Sequence, residues 1–231
     1  MTSGKSDTSQ RVRDAAVDLF ATRGYDGTSM RDIARHVGIS VANLYNYTDG
    51  KESLYWTVMK ATISELMDEQ RDALATEACP AARFAAFAYT HARYHTHRAK
   101  EVRLGNTPLE SLSPERATKV RSIRDEYEGM FRVLIRDGAG AGYLTTPEPE
   151  LASRAILQMG VGISLWFRPD APLTSDYVGR VYAAFALAIA GFDEAAHGER
   201  CAEVDCSAVA AWANSAARAG ALTGELPGAP A

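Results

Sequence analysis

Residues 40–47 read Ser-Val-Ala-Asn-Leu-Tyr-Asn-Tyr, a run in which nearly every side chain other than Leu44 is small or can hydrogen-bond. Placed on a helix, Ala42 would let that helix approach a surface closely. Asn43 or Asn46 would offer the paired donor and acceptor that match the edge of adenine, and Val41 an apolar contact for a thymine methyl group. Tyr45 and Tyr47 carry hydroxyls suited to phosphate oxygens. Lys51 stands where the next helix begins, so its charge adds to the free backbone N–H groups of a helix start, a combination that attracts phosphate. Thr28, Ser29 and Arg31, at the opening of the preceding helix, and Ser40 complete this set. Its chemistry is the reading of double-stranded DNA.

The elements that must hold these residues follow from apolar spacing. Val12, Ala15, Ala16, Leu19 and Phe20 recur at three- and four-residue intervals, which predicts a helix from about Gln10, preceded by a polar stretch expected to fray. Gly24 marks its end. Residues 28–37 predict a second helix with Ile33, Ala34 and Val37 on one face. Gly38 and Ile39 then form a tight turn, and Ser40 caps a third helix over Val41 to Tyr47. Asp49-Gly50 breaks it. A long fourth helix is expected over 51–78, with Leu54, Val58, Ala61, Ile63, Leu66 and Leu74 buried. Two short helices joined by a glycine turn, with a supporting helix on either side, describe a helix-turn-helix.

Five further helices are expected at about 81–98, 101–111, 115–138, 148–167 and 174–192. They are separated by Pro108, Ser113-Pro114, the glycine-rich 138–142, Pro147 to Pro149 and Pro169 to Pro172. No alternating strand pattern of useful length occurs, so the fold class is all-α: a three-helix reading domain (1–52) joined by the long helix to a helical bundle (53–194). Residues 193–203 read as a polar linker, 207–218 as a weak alanine-rich helix, and 224–231 as a disordered end, so that 195–231 forms an extension.

The chain of 231 residues has 25 Lys and Arg against 29 Asp and Glu, a net charge of −4. That balance argues against a protein that coats nucleic acid through bulk charge but leaves a local footprint open. Over residues 1–60, Lys and Arg outnumber Asp and Glu by only eight to seven, so affinity is expected to need two copies on one site. No apolar run approaches the ~20 residues that span a bilayer. The first residues lack the apolar centre of a secretion signal, and three cysteines do not form a disulfide framework. Together these predict a cytoplasmic protein.

Residues 10–54 resemble the TetR family signature: Ala15-Ala16, Leu19-Phe20, Gly24-Tyr25, Thr28-Ser29, Asp32-Ile33-Ala34, Val37-Gly38-Ile39-Ser40, Leu44-Tyr45, and Lys51-Glu52 with Leu54. Where that pattern ends its reading helix in Leu-Tyr-Tyr-His-Phe, this chain has Leu44-Tyr45-Asn46-Tyr47-Thr48, so individual DNA contacts at 46–48 do not carry over. The resemblance implies a DNA-binding repressor that acts as a homodimer on a palindromic operator and is released by a small effector. A second resemblance covers roughly 80–192: Glu110-Ser-Leu-Ser-Pro-Glu-Arg116, Arg124-Asp-Glu-Tyr-Glu128 with Phe131, Gly142-Tyr143 and Trp166-Phe-Arg-Pro169. It is similar to the subgroup that regulates fatty-acid, steroid and related acyl-CoA catabolism, and implies an acyl-CoA or related lipid effector.

Such a ligand needs an apolar slot and cations for its phosphates. Phe87, Phe131, Met159, Ile163 and Trp166, with Phe84, Met130 and Leu134, are the apolar candidates. Arg98, Arg103, Arg124 and Arg168, with Arg93 and His97, are the candidates for the anionic head, and His91 is a further ligand-binding candidate. Ordinary core packing and ion pairing are the competing readings, and Arg124 is expected to pair with Glu128 four residues on. His91, His95 and His97 lack the acidic partner that would complete a metal site, as do His197, Cys201 and Cys206, so no metal is expected. Helices 148–167 and 174–192 are apolar on more than one side (Ala155, Ile156, Met159, Gly160, Ile163, Leu165, Phe167; Val181, Phe185, Leu187, Ala188, Ile189), which predicts the dimer interface there. A ligand-dependent activator, or a regulator answering a different apolar effector as in efflux control, remains the alternative. No nucleophile elbow, phosphate loop or paired catalytic carboxylates occur, so no enzyme activity or cofactor is expected.

Overall fold

Short capping interactions decide where the helices of the reading segment begin and end. The Ser29 hydroxyl accepts from the backbone N–H of Asp32 while the Asp32 carboxylate accepts from the backbone N–H of Ser29, a reciprocal box that starts the second helix. Gly38 ends it with φ 78°, a left-handed conformation that costs glycine little, and its N–H returns to the carbonyls of Ala34 and Arg35. Two residues later the Ser40 side chain accepts from Asn43 N–H and starts the third.

The computed structural model describes residues 2–105 and 111–192, with side chains from Asp7 onward. Among the described residues there are nine α-helices and no strand. They are α1 (Thr2–Arg23), α2 (Met30–Val37), α3 (Val41–Leu44), α4 (Lys51–Ala75), α5 (Pro80–His97), α6 (Ala99–Gly105), α7 (Pro114–Gly140), α8 (Pro149–Trp166) and α9 (Ser175–Ile189). The all-α expectation holds, with boundary corrections. α1 begins at Thr2, eight residues before the expected start near Gln10. α3 ends at Leu44; Tyr45 to Tyr47 follow as turns whose N–H groups bond three or four residues back. α9 stops at Ile189, where Thr145 and Thr146 donate to the Ala190 carbonyl and Leu144 bridges Phe192. The expectations for Pro108, Glu110, His197, Cys201, Cys206, the linker, the 207–218 helix and the 224–231 end lie outside the described residues.

Two compact units emerge. Unit 1 holds the residues up to Glu65 together with Arg98–Asp125; unit 2 holds Leu66–His97 and the described residues from Glu126 onward. Each unit is therefore built from two stretches of chain, and α4 and α7 contribute to both. The core of unit 1 is assembled from Phe20, Ile33, Leu44, Tyr55 and Met59, with Leu104 and Val120 supplied from the second stretch. Phe20, Tyr25 and Tyr55 meet ring to ring at 4.9–5.6 Å.

In unit 2, α5 packs against α8 and α9. Phe84 and Phe87 stack on Phe131 at 5.1 and 4.8 Å, and Ile163, Phe167 and Val178 close around Ala92. Along α4 the buried stripe runs through Leu54, Tyr55, Val58, Met59, Thr62, Leu66, Met67 and Gln70. Ala61, expected inside, is exposed, and Ile63 and Leu74 are half-buried. The stripe turns with 3.6-residue periodicity through Thr62 and Gln70, polar residues that a reading by hydrophobicity passes over.

Candidate functional site

The face expected to read DNA rests on an apolar backing. Leu44, Ile33 and Ala34 are fully buried beneath α2 and α3, with Val37 close to it. On the outer side Ala42, Tyr45 and Asn46 are exposed and Asn43 is half-buried. The Asn46 amide donates to Asn43 Oδ1 at 3.0 Å, so the two asparagines form one unit. It still presents the Asn46 carbonyl oxygen and one Asn46 N–H, the pair that complements adenine N6 and N7. Val41 and Tyr47 pack partly on the core of unit 1, which leaves each with only an outer edge for contact.

Thr28 leaves the candidate set. It is 2% exposed, and its hydroxyl donates to the carbonyls of Leu19 and Gly24, fastening the loop after α1. Ser29 is exposed but its hydroxyl works in the α2 cap. Asp32 receives Arg35 at 2.9 Å and Arg23 at 3.8 Å. Its hydrogen bonds from the Ser29 hydroxyl and backbone, ahead of those cations, hold its carboxyl below the usual range. Arg31 is exposed on the same helix. Arg11, by contrast, donates to the Val37 carbonyl at 2.6 Å and is spent on the end of α2. Lys51, at the start of α4, has its ammonium 4.0 Å above the Tyr25 ring, which fixes the charge at that helix start.

Beside α3 lies a polar recess of about 380 Å³, lined among others by Ser9 and Arg13 of α1, Asn46, Thr48 and Ser53. Thr48 turns its hydroxyl to the Gly50 carbonyl. The sequence reading missed the α1 side of this recess. The available signal was Thr48 itself, a small polar residue where the related pattern carries phenylalanine.

The ligand candidates divide between the units. Phe87 and Phe131 are fully buried and stacked; Ile163 is fully buried in a separate cluster, and Met159 is half-buried. Trp166 is exposed, 6.5 Å from the Tyr182 ring, and Arg168 is exposed with its guanidinium on the carbonyls of Leu165 and Phe167. Arg98, Arg103 and Arg124 belong to unit 1. There Arg98 pairs with Glu65 and Glu101, and Arg103 is half-buried on α6. Arg124 donates to the Gly105 carbonyl and burial lowers its pKa. The expected Arg124–Glu128 pair is absent: Glu128 pairs with Arg132 at 2.7 Å and Arg154 at 3.4 Å. In unit 2, Arg93 and His97 lie 3.7 and 3.8 Å from Glu69.

His91 sits in the core of unit 2. Its ring meets the Tyr127 hydroxyl at 2.8 Å and the Leu157 carbonyl at 3.0 Å, while His95 Nδ1 lies 2.7 Å from the His91 carbonyl. Burial, and secondarily the neighbouring histidine, pushes His91 well below its ordinary 6.5; burial takes His95 down to about 4. Among the described residues no group of three His, Cys, Asp or Glu could hold a metal ion. Tyr127, whose hydroxyl burial pushes well up, and Gln70, which donates to it, were missed as candidates, although Tyr127 lies inside the motif Arg124 to Glu128.

The predicted dimer faces are partly consumed within the monomer. Ile156, Gly160, Ile163, Phe167 and Leu187 are buried in unit 2. Leu165, Phe185 and Ile189 remain exposed, with Ala155 and Ala188, and Leu151 and Trp166 join them. Gly160 serves the inside: a Cβ there would lie 2.2 Å from His91 Cδ2.

Residues 12–56 match the family model of bacterial regulatory proteins of the tetR family, and residues 77–190 that of the tetracyclin repressor-like C-terminal domain. The HTH-type transcriptional repressor KstR2 of Rhodococcus jostii (strain RHA1) is 27% identical over 188 residues, covering 80% of this chain and 92% of that protein. The TetR family transcriptional regulator PfmR of Thermus thermophilus superposes with a TM-score of 0.71 at 31% identity, covering 80% of this chain and 100% of that one. AibR, crystallised with isovaleryl coenzyme A and operator DNA, shares the fold at 22% identity with a TM-score of 0.70, covering 77% of this chain and 97% of its own.

Proposed function

Because the chain belongs to the TetR family of transcriptional regulators, we propose that it is a cytoplasmic, dimeric repressor that reads a palindromic operator through α3 and is released by a small effector. The observation that carries the reading is the outer face of α3 and of the turns after it, with Ala42, Asn43, Tyr45 and Asn46 held over the buried Leu44. Arg31, Ser40 and Lys51 supply phosphate contacts around it, while Ser29 stays in the α2 cap. The exposed apolar residues of α8 and α9 provide the surface for a second copy. Pairing two reading helices one DNA turn apart, about 34–36 Å, lets both enter successive major grooves. Relatives named as KstR2 repressors support repression, and the shared fold of AibR supports a CoA thioester as effector. The described residues include no helix long and apolar enough to cross a membrane. The domains are taken as 1–52 for reading, 53–194 for effector and dimer, and 195–231 as an extension.

Release requires that the effector bind the operator-incompetent state more tightly than the competent one. Selection of binding sites from a random DNA library with the purified protein tests the first half of this reading. The expected outcome is a two-fold symmetric consensus, and its loss in Ala42→Glu with the dimer intact. A consensus without symmetry, or normal binding by A42E, overturns it. Addition of acyl-CoAs of graded length to the protein–operator complex then tests the effector.

A further inference from the structure

The recess of about 380 Å³ beside α3 joins α1, α4 and the turns after α3, all within unit 1. Ser9 and Arg13 line it from α1, where a spacing of four residues puts them on one helix face. Ser53 lines it from the first turn of α4. Thr48 keeps its small side chain folded back, with the hydroxyl on the Gly50 carbonyl, and the space beside it stays open. Tyr45 and Asn46 form its edge and are themselves exposed on the face expected to meet DNA.

The lining holds donors that lack acceptors. Ser9 and Ser53 are half-buried, and neither hydroxyl has a hydrogen-bond partner among the described residues. Arg13 donates only to the neutral Gln10 side chain, one turn back on the same helix, and belongs to no ion pair among the described residues. Its neighbours are committed: Arg23 and Arg35 to Asp32, and Arg11 to the Val37 carbonyl. Asp49 is the one carboxylate of the lining; it is exposed, where water and salt screen it. One guanidinium and two free hydroxyls around an open recess suit an anion with several acceptor oxygens. Double-stranded DNA brings such an anion to this place. A strand whose bases meet Asn46 carries its phosphates past the mouth of the recess.

We propose that Arg13, Ser9 and Ser53 form a seat for one backbone phosphate of the bound DNA, separate from the contacts made by α3. Arg13 supplies the charge, and the two hydroxyls donate to the phosphate oxygens, one from α1 and one from α4. The seat is blind to base sequence and holds the duplex in register while α3 reads it. The supporting helix α1 thereby takes part in binding. The proposal rests on the reading above that unit 1 binds DNA.

The test titrates the full-length protein with two fluorescent duplexes of equal length, the consensus from the selection above and a scrambled version of it, at about 50 to 200 mM salt. Arg13→Gln is expected to weaken both duplexes by a similar factor, about tenfold. It is also expected to lower the slope of log affinity against log salt by about one per bound subunit. Thermal unfolding should not change, because the only side-chain bond lost lies within one turn of α1. Thr48→Phe, which fills the recess and leaves Arg13 in place, is expected to reproduce the loss, and Asp49→Asn to tighten both duplexes. A neutral methylphosphonate set at each position of the consensus in turn locates the partner. At one phosphate in each half-site it should weaken the unaltered protein and have no further effect in R13Q. Unchanged affinity and slope in R13Q, a loss confined to the consensus, or the same added loss from every methylphosphonate overturns the proposal while the DNA reading stands. Failure of the unaltered protein to bind either duplex overturns the DNA reading and the phosphate seat with it.

Discussion

At Gly160 of α8 a single hydrogen atom decides whether His91 keeps its place. A Cβ at that position would lie 2.2 Å from His91 Cδ2 and 2.3 Å from Nε2, the nitrogen that donates to Leu157. Gly160→Ala is expected to displace the ring and destabilise unit 2 by about 1–3 kcal/mol. Gly162→Ala, where a Cβ meets nothing within 4 Å, is expected to be neutral or slightly stabilising; chemical denaturation compares the two. The histidines also set a pH dependence. Both are neutral when folded, with pKa values below the ordinary 6.5, well below for His91 and about 4 for His95. The unfolded chain therefore binds protons that the folded chain refuses. Their stability is complete above about pH 6.5 and is lost as pH falls toward 4, at up to roughly 1.4 kcal/mol per pH unit for each histidine. Denaturation midpoints between pH 7 and 5, where carboxylates remain ionised, check this slope, and His95→Gln should flatten it.

At the scale of the element, the short α3 depends on its cap. Ser40 accepts from Asn43 N–H at 3.1 Å, and a four-residue helix has little else to hold its first turn. Ser40→Ala is expected to cost about 1 kcal/mol locally, seen as roughly fivefold weaker operator binding with thermal unfolding of unit 2 unchanged. Gly38 and the Ser40 cap were legible in the sequence because they form a local pattern, whereas the second helix was expected from residue 28 and the Ser29–Asp32 box that starts it at Met30 was passed over. The end of α3 was not, since nothing local separates a helix through Tyr47 from a series of turns. The interior of unit 2 was legible only in its apolar half. Phe87 and Phe131 announce burial, but Gln70 and Ser153 look like surface residues until four helices close around them. Arg124 likewise had a partner of the right charge at the right spacing, yet the Gly105 carbonyl, nineteen residues away in sequence, receives it.

At the scale of the whole molecule, the apolar surface of α8 and α9 is where the proposed dimer would form. Leu165 is 67% exposed and Phe185 45%, an apolar exposure that a second copy would cover. The double substitution Leu165→Glu with Phe185→Glu is expected to yield a folded monomer by sedimentation and to weaken operator binding by about 100-fold or more, since one reading helix must then hold the DNA alone. A dimer that survives both changes would place the interface elsewhere.

The interleaving of the two units bears on how such a protein can be recombined. Leu104, Leu112, Ala117 and Val120, all beyond residue 97, are buried in the same core as Phe20 and Leu44. Chimeras that exchange only the first fifty or so residues between homologues would graft a reading head onto foreign supports for half its floor. Extending the exchange to Glu65 and carrying Arg98–Asp125 along with it transplants the head with its own foundations. Where such exchanges occur in nature, the two stretches are expected to change together.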